Sequence, residues 1–181
     1  MEDQVKIEAT VRILLEQLGE DVSREGLLDT PRRVAVAWAE LLRRDEPKIT
    51  VFNSQGYDQM VISKNIPYYT FCEHHLLPFF GTVTIGYLPK EKIIGLSKLA
   101  RIVAYFARRL NTQEHLTQDI ANYLQEKLNP IGIGVLVRGR HLCQEMRGAR
   151  VKAEMSTSAL IGAFRHDPKA RAEFFSIGDG E

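Results

Sequence analysis

Two amphipathic helical patterns follow one another between Gly95 and Pro130, with strand-like runs on both sides. The first carries Leu99, Ile102, Val103, Phe106 and Leu110 on one face, the second Leu116, Ile120, Leu124 and Leu128. Asn111-Thr112 separates them and Asn129-Pro130 ends the second. Ahead of them, residues 60–66 and 68–72 are strand-like, and 81–87 alternates Val83, Ile85 and Tyr87 against Thr82, Thr84 and Gly86. Behind them, 133–137 and 156–164 are strand-like, and a short helix is expected over 168–175. The order β-β-β-α-α-β-β does not alternate strand with helix, so it predicts an α+β fold with a mostly antiparallel sheet. A small open sheet has free edges, which makes edge-to-edge assembly a route to an oligomer.

Residues 5–18 place Val5, Val11, Leu14, Leu15 and Leu18 at helical spacing, stopped by Gly19. Asp29-Thr30-Pro31 reads as a helix start with Thr30 as N-cap and Pro31 at the first helical position. Val34, Ala35, Trp38, Leu41 and Leu42 then form an apolar face. The stretch 47–56 reads as a connection, so the expected organisation is an N-terminal helical region, 1–56, and a main body, 57–181. A formal net charge of +1 gives no overall field that favours nucleic acid or a membrane surface. No apolar run is long enough to span a bilayer, and Met1-Glu2-Asp3-Gln4 does not open a signal peptide. The expected compartment is the cytoplasm, where thiols stay reduced.

The chain has two cysteines, and three of its five histidines lie beside them, in Cys72-Glu73-His74-His75 and His141-Leu142-Cys143. Thiolates and imidazoles suit a borderline-soft ion, Zn²⁺ above all, and three protein ligands leave a position open for chemistry. In extended backbone His74 and His75 point to opposite sides, so both bind one ion only if the chain turns. Cys72, His75 and Cys143 are the favoured ligands, which leaves His74 and His141 free for proton transfer. The competing reading is two buried strand cysteines beside ordinary polar histidines. Ser97, Lys98 and Arg101 open the first long helix, with Ser97 placed as N-cap. Lys98 and Arg101 share a face, and a helix N-terminus attracts phosphate. Arg147 and Arg33 are further anion candidates, against the alternative of solvated basic surface. Gln113-Glu114 either complements a helix dipole or contacts a purine edge. A carboxylate there accepts from guanine N1–H and N2–H₂, donors that adenine does not offer.

Together these segments resemble GTP cyclohydrolase I, a zinc enzyme family at the start of pterin and tetrahydrofolate biosynthesis. The resemblance rests on Cys72-Glu73-His74-His75, Gly95-Leu96-Ser97-Lys98-Leu99-Ala100-Arg101-Ile102-Val103, Gln113-Glu114-His115-Leu116-Thr117 and His141-Leu142-Cys143 followed by Met146-Arg147-Gly148, with Asp29-Thr30-Pro31-Arg32-Arg33-Val34-Ala35 upstream. It implies a tunnelling fold, an antiparallel sheet with two helices on one face, whose sheets join between subunits into a barrel. It further implies a homodecamer with active sites between subunits. The implied reaction is hydrolysis and rearrangement of GTP to 7,8-dihydroneopterin triphosphate and formate. Zn²⁺ would sit on Cys72, His75 and Cys143, with His74, His141 and Ser97 as acid–base groups. Gln113 and Glu114 would hold guanine, and Lys98, Arg101, Arg147 and Arg33 the triphosphate.

Two departures stand out. Val36 occupies a position where the family commonly has Lys or Arg. Lys152-Ala153-Glu154-Met155-Ser156-Thr157-Ser158 replaces a more hydroxyl-rich run, behind a shorter loop after Arg147. The alternatives in keeping with these departures are a related tunnelling-fold enzyme acting on another purine or pterin, or a non-catalytic zinc- or nucleotide-binding paralogue.

Overall fold

The computed structural model describes residues 2–179. Met1, Gly180 and Glu181, which fall in the two expected regions, lie outside the described residues. The chain forms two compact units, Met1–Arg43 and Arg44–Glu181. This division falls earlier than the composition shift at residue 56, because the intervening stretch is tied into the second unit by strand pairing.

In the first unit, α1 (Glu2–Gln17) packs on α2 (Thr30–Leu41). Asp29, not Thr30, is the N-cap; Thr30 is already helical and donates its hydroxyl to Gly26 O at 3.3 Å. Pro31 takes its place in the first turn, where its missing N–H costs no helical bond. Pro31 and Ala35 are buried, whereas Arg33 and Val36 are exposed.

The second unit is built on a five-stranded sheet of order β5-β2-β3-β6-β7. Its members are β2 (Val61–Cys72), β3 (Pro78–Leu88), β5 (Leu110–Asn111), β6 (Gly132–His141) and β7 (Glu154–Gly162). The β2–β3, β3–β6 and β6–β7 pairs are antiparallel; β5 adds a short parallel pair, Phe71↔Leu110 and Cys72↔Asn111. A separate ribbon pairs β1 (Val51–Asn53) with β4 (Lys92–Ile94).

The expected pair of strands before residue 72 is one strand. Its register with β3 shifts between Ser63 and Ile66, where Asn65 adopts φ 56°, and pairing then resumes through Pro67. β5 reaches only Phe71 and Cys72, so most of β2 is an edge, where proline is tolerated.

Helices α3 (Leu96–Ala107) and α4 (Gln113–Leu128) cover one face of the sheet. Leu99, Ile102, Val103 and Phe106 from α3, with Leu116, Ile120, Leu124 and Leu128 from α4, close on Val83, Ile85, Tyr87, Ile133, Val135 and Val137. The alternation read in 81–87 thus points its larger members at the helices. Burial of these side chains contributes roughly 1.5–3 kcal/mol each and is the main term holding the layers together. On the other face Phe174 of α7 (Pro168–Asp179) packs with Leu136 and with Phe164 of α6 (Ala163–His166). Its ring occupies the space a Cβ at Gly86 or Gly134 would take, so glycine at these strand positions lets α7 settle on the sheet. No helix among the described residues is long and apolar enough to cross a membrane.

Candidate metal centre and active site

The sheet register brings the cysteine motifs together. β3 lies between β2 and β6, with Phe71↔Pro78 on one side and Phe79↔His141 on the other. The turn after β2 and the start of α5 (Leu142–Glu145) therefore emerge at one end of the sheet. That turn closes through Leu76 N–H to Cys72 O at 2.9 Å and Cys72 N–H to Leu77 O at 2.9 Å, with Leu76 at φ 55°. Because the chain turns here, both His74 and His75 put Nδ1 within 3.8 Å of Cys72 Sγ. Only His75 belongs to the group whose ligand atoms all lie within 4.8 Å of one another: Cys72, His75 and Cys143. His74 is 64% exposed and lies 3.7 Å from the Glu73 carboxylate.

Cys72 is buried, Cys143 half-buried, and both are free thiols. Burial, and then the neighbouring Cys72, pushes the Cys143 thiol up. Two thiols held this close without a cation resist joint ionisation, and a divalent ion relieves that resistance by binding both as thiolates. Two sulfurs and one imidazole suit Zn²⁺ with a position left open.

Around this group the structure adds contacts that no motif displays. The His141 ring stacks on Phe79 at 4.4 Å and 8°. Burial lowers the His141 pKa, and the nearby Glu114 carboxylate opposes that shift. Arg140 donates to both oxygens of Glu145, Nε–H to Oε1 at 2.9 Å and Nη2–H to Oε2 at 2.6 Å, bracketing the turn that carries Cys143. Arg147 Nη1 lies 2.9 Å from His75 Nε2.

Thr112 caps α4, accepting from His115 N–H at 3.3 Å. Glu114 in its first turn is exposed and lines a cleft of about 230 Å³ with Thr117, Gln118, Thr157, Ser158 and Ala159. Gln113 differs from expectation. It is 1% exposed, and its side-chain amide is bonded to Val137 O, Met155 O, Thr157 Oγ1 and His141 Nε2, all within the chain. The helix turns one residue of the Gln113-Glu114 pair inward and the other outward, which spacing alone does not decide. Gly139 carried a signal for this network. A glycine inside a strand marks a close approach, and a Cβ there would collide with Tyr68 Oη and Gln113 Oε1.

The basic residues of α3 are placed elsewhere. The helix begins at Leu96 with extended Gly95 as N-cap, so Ser97 lies inside the first turn and does not cap it. Gly95 O accepts from Lys98 N–H at 2.8 Å, which starts the helical ladder before the Ser97 hydroxyl can serve. Ser97 is exposed and Lys98 half-buried, and neither bonds to the cysteine–histidine group among the described residues. Arg101 lines a different cleft of about 320 Å³ with Lys48, Tyr105 and Arg108. Arg33, in the first unit, sits 3.5 Å from Asp29. Glu154 opens β7 and faces Arg138 at 3.9 Å.

The family model for GTP cyclohydrolase I matches residues 7–178. The chain belongs to the GTP cyclohydrolase I family. It is 48% identical over 180 residues to GTP cyclohydrolase 1 of Aquifex aeolicus, covering 98% of each chain. The protein of that name from Thermoanaerobacter pseudethanolicus is 46% identical over 183 residues, with 98% of this chain and 97% of the relative covered. The one from Helicobacter pylori is 44% identical over 168 residues, covering 90% and 93%. The α+β architecture is the tunnelling fold of this GTP cyclohydrolase I family, and Cys72, His75 and Cys143 fit its zinc.

Proposed function

We propose that the chain converts GTP to 7,8-dihydroneopterin triphosphate and formate, the entry step to pterins and tetrahydrofolate. The observation that carries this reading is the convergence of Cys72, His75 and Cys143 in a chain that matches the GTP cyclohydrolase I family from residue 7 to 178.

Cys72, His75 and Cys143 would hold Zn²⁺, which would supply the Lewis acidity that makes water a nucleophile near neutral pH. Glu114 accepts from guanine N1–H and N2–H₂ in the cleft beside Thr157. His141, flat against Phe79, delivers a proton to the imidazole nitrogen of the base as the ring opens at C8. His74, exposed in its turn beside Glu73, serves as the second proton carrier. Hydrolysis of the resulting formamide releases formate. The ribose carbons then rearrange with Ser97 and the histidines moving protons, and closure onto the free nitrogens expels water. Two waters enter and one leaves, so the sum is GTP plus one water. Lys98, Arg101 and Arg147 hold the triphosphate, with Arg33 as a further contact.

Within one chain, Lys98 and Arg101 do not meet the metal group, which supports active sites completed by neighbouring subunits. The long free edges of β2 and β7 support sheet-to-sheet closure into a ring and a homodecamer. Two free thiols in a metal site suit the reducing cytoplasm.

The test is incubation of the purified, metal-loaded protein with GTP. Formate and a fluorescent pterin are expected together, lost with a chelator and restored by zinc. Tight GTP binding with neither product would overturn the reading.

A further inference from the structure

The proton on each polar atom around Gln113 is decided by its neighbours. Gln113 Nε2 faces Val137 O at 3.1 Å and Met155 O at 2.9 Å. Backbone carbonyls only accept, so the atom facing them is the NH₂ end of the amide. Thr157 Oγ1, at 3.2 Å, is its third neighbour. The Thr117 hydroxyl donates to Gln113 O at 2.6 Å. Its single proton is thereby used, so Thr157 donates across the 2.6 Å contact to Thr117 Oγ1 and keeps a lone pair for Gln113. Every member of the cluster thus holds the amide in one orientation.

That orientation leaves Gln113 Oε1 facing His141 Nε2 at 2.9 Å. Oε1 has no proton, so Nε2 must carry one. The Tyr68 hydroxyl, 3.5 Å away, is the other donor to Oε1, and burial pushes that phenol's pKa up, so it stays protonated. The other ring nitrogen of His141, Nδ1, makes no hydrogen bond among the described residues.

We propose that Gln113 is a positioning residue that fixes His141 in the Nε2–H tautomer, so that Nδ1 is the ring atom that exchanges a proton with substrate. The proposal rests on the reading of His141 as the proton carrier. It replaces a guanine contact for Gln113 with an internal one: the amide sets which nitrogen of His141 works, and Phe79 sets the plane of the ring. The demand also explains Gly139, whose missing side chain leaves room for Gln113 Oε1 and Tyr68 Oη.

Solid-state ¹⁵N NMR of the metal-loaded protein, with histidine labelled at both ring nitrogens, reads the tautomer directly. The His141 signals are assigned by their loss in His141→Ala. With the ring neutral, the wild-type protein is expected to show a protonated Nε2 and a bare Nδ1; a protonated Nδ1 in its place overturns the proposal without any Gln113 variant. Gln113→Met keeps the side-chain length and removes the acceptor. It is expected to mix the two tautomers and to lower kcat by about tenfold or more, with KM for GTP within about threefold of wild type. A raised KM at unchanged kcat, together with altered preference between GTP and ITP, would instead make Gln113 a substrate contact. If the wild-type protein released no formate from GTP, the proposed activity would fail, while the tautomer would still stand or fall on the spectrum.

Discussion

Arg140 and Glu145 form a two-point ion pair across the turn that carries Cys143, with N···O distances of 2.9 and 2.6 Å. Arg140 lies in β6 beside His141, and Glu145 closes α5, so the pair joins the strand to the helical turn on either side of the ligand. Arg140 also lies 5.8 Å from the centre of the Phe80 ring. The favourable pairing depresses the Glu145 pKa. The carboxylate therefore stays charged and keeps the turn closed.

Arg140→Ala should loosen the Cys143 turn without removing a ligand. Zinc affinity is expected to fall by roughly tenfold, the scale on which outer supporting contacts act on metal sites. Competition against a chromophoric chelator measures it. Unchanged affinity would make the ion pair irrelevant to the metal.

Glu114 is exposed in its cleft, so its replacement should spare the fold and strike the base contact. Losing hydrogen bonds to a charged acceptor costs about 1.5–3 kcal/mol, or roughly ten- to a hundredfold in kcat/KM for GTP. ITP lacks the N2 amine, and Glu114→Ala is expected to shrink the preference for GTP over ITP. Steady-state kinetics with both nucleotides checks this; an unchanged ratio would place the base elsewhere.

Sites shared between subunits make a distinct demand on mixtures. Cys143→Ala and Lys98→Ala proteins are each expected to be nearly inactive. Unfolding and refolding them together should restore measurable turnover, because some sites then pair an intact metal group with an intact Lys98. Turnover that never exceeds the sum of the separate proteins would place both residues in a site made by one chain.

Much of the architecture was legible because period and burial agree. Val83, Ile85 and Tyr87 alternate and face the helices, and the apolar stripes of α3 and α4 meet them. The metal group was legible because cysteine and histidine are rare here and fall in two clusters. What was not legible depends on tertiary placement. The strand-like runs 60–66 and 68–72 are one strand, because the edge position of β2 accommodates Pro67 between them. Ser97 is a good capping residue, yet Gly95 takes the extended N-cap conformation two residues earlier. Gln113 and Glu114 are adjacent on a helix, and only the packing of α4 against β6 and β7 decides which one is buried.

The most direct test of the account is to measure zinc per chain and GTP turnover in the same preparation of Cys143→Ala, with assembly size followed alongside. An assembly of unchanged size that has lost both bound zinc and formate release is expected. Full turnover from that variant would contradict the metal centre and the mechanism built on it.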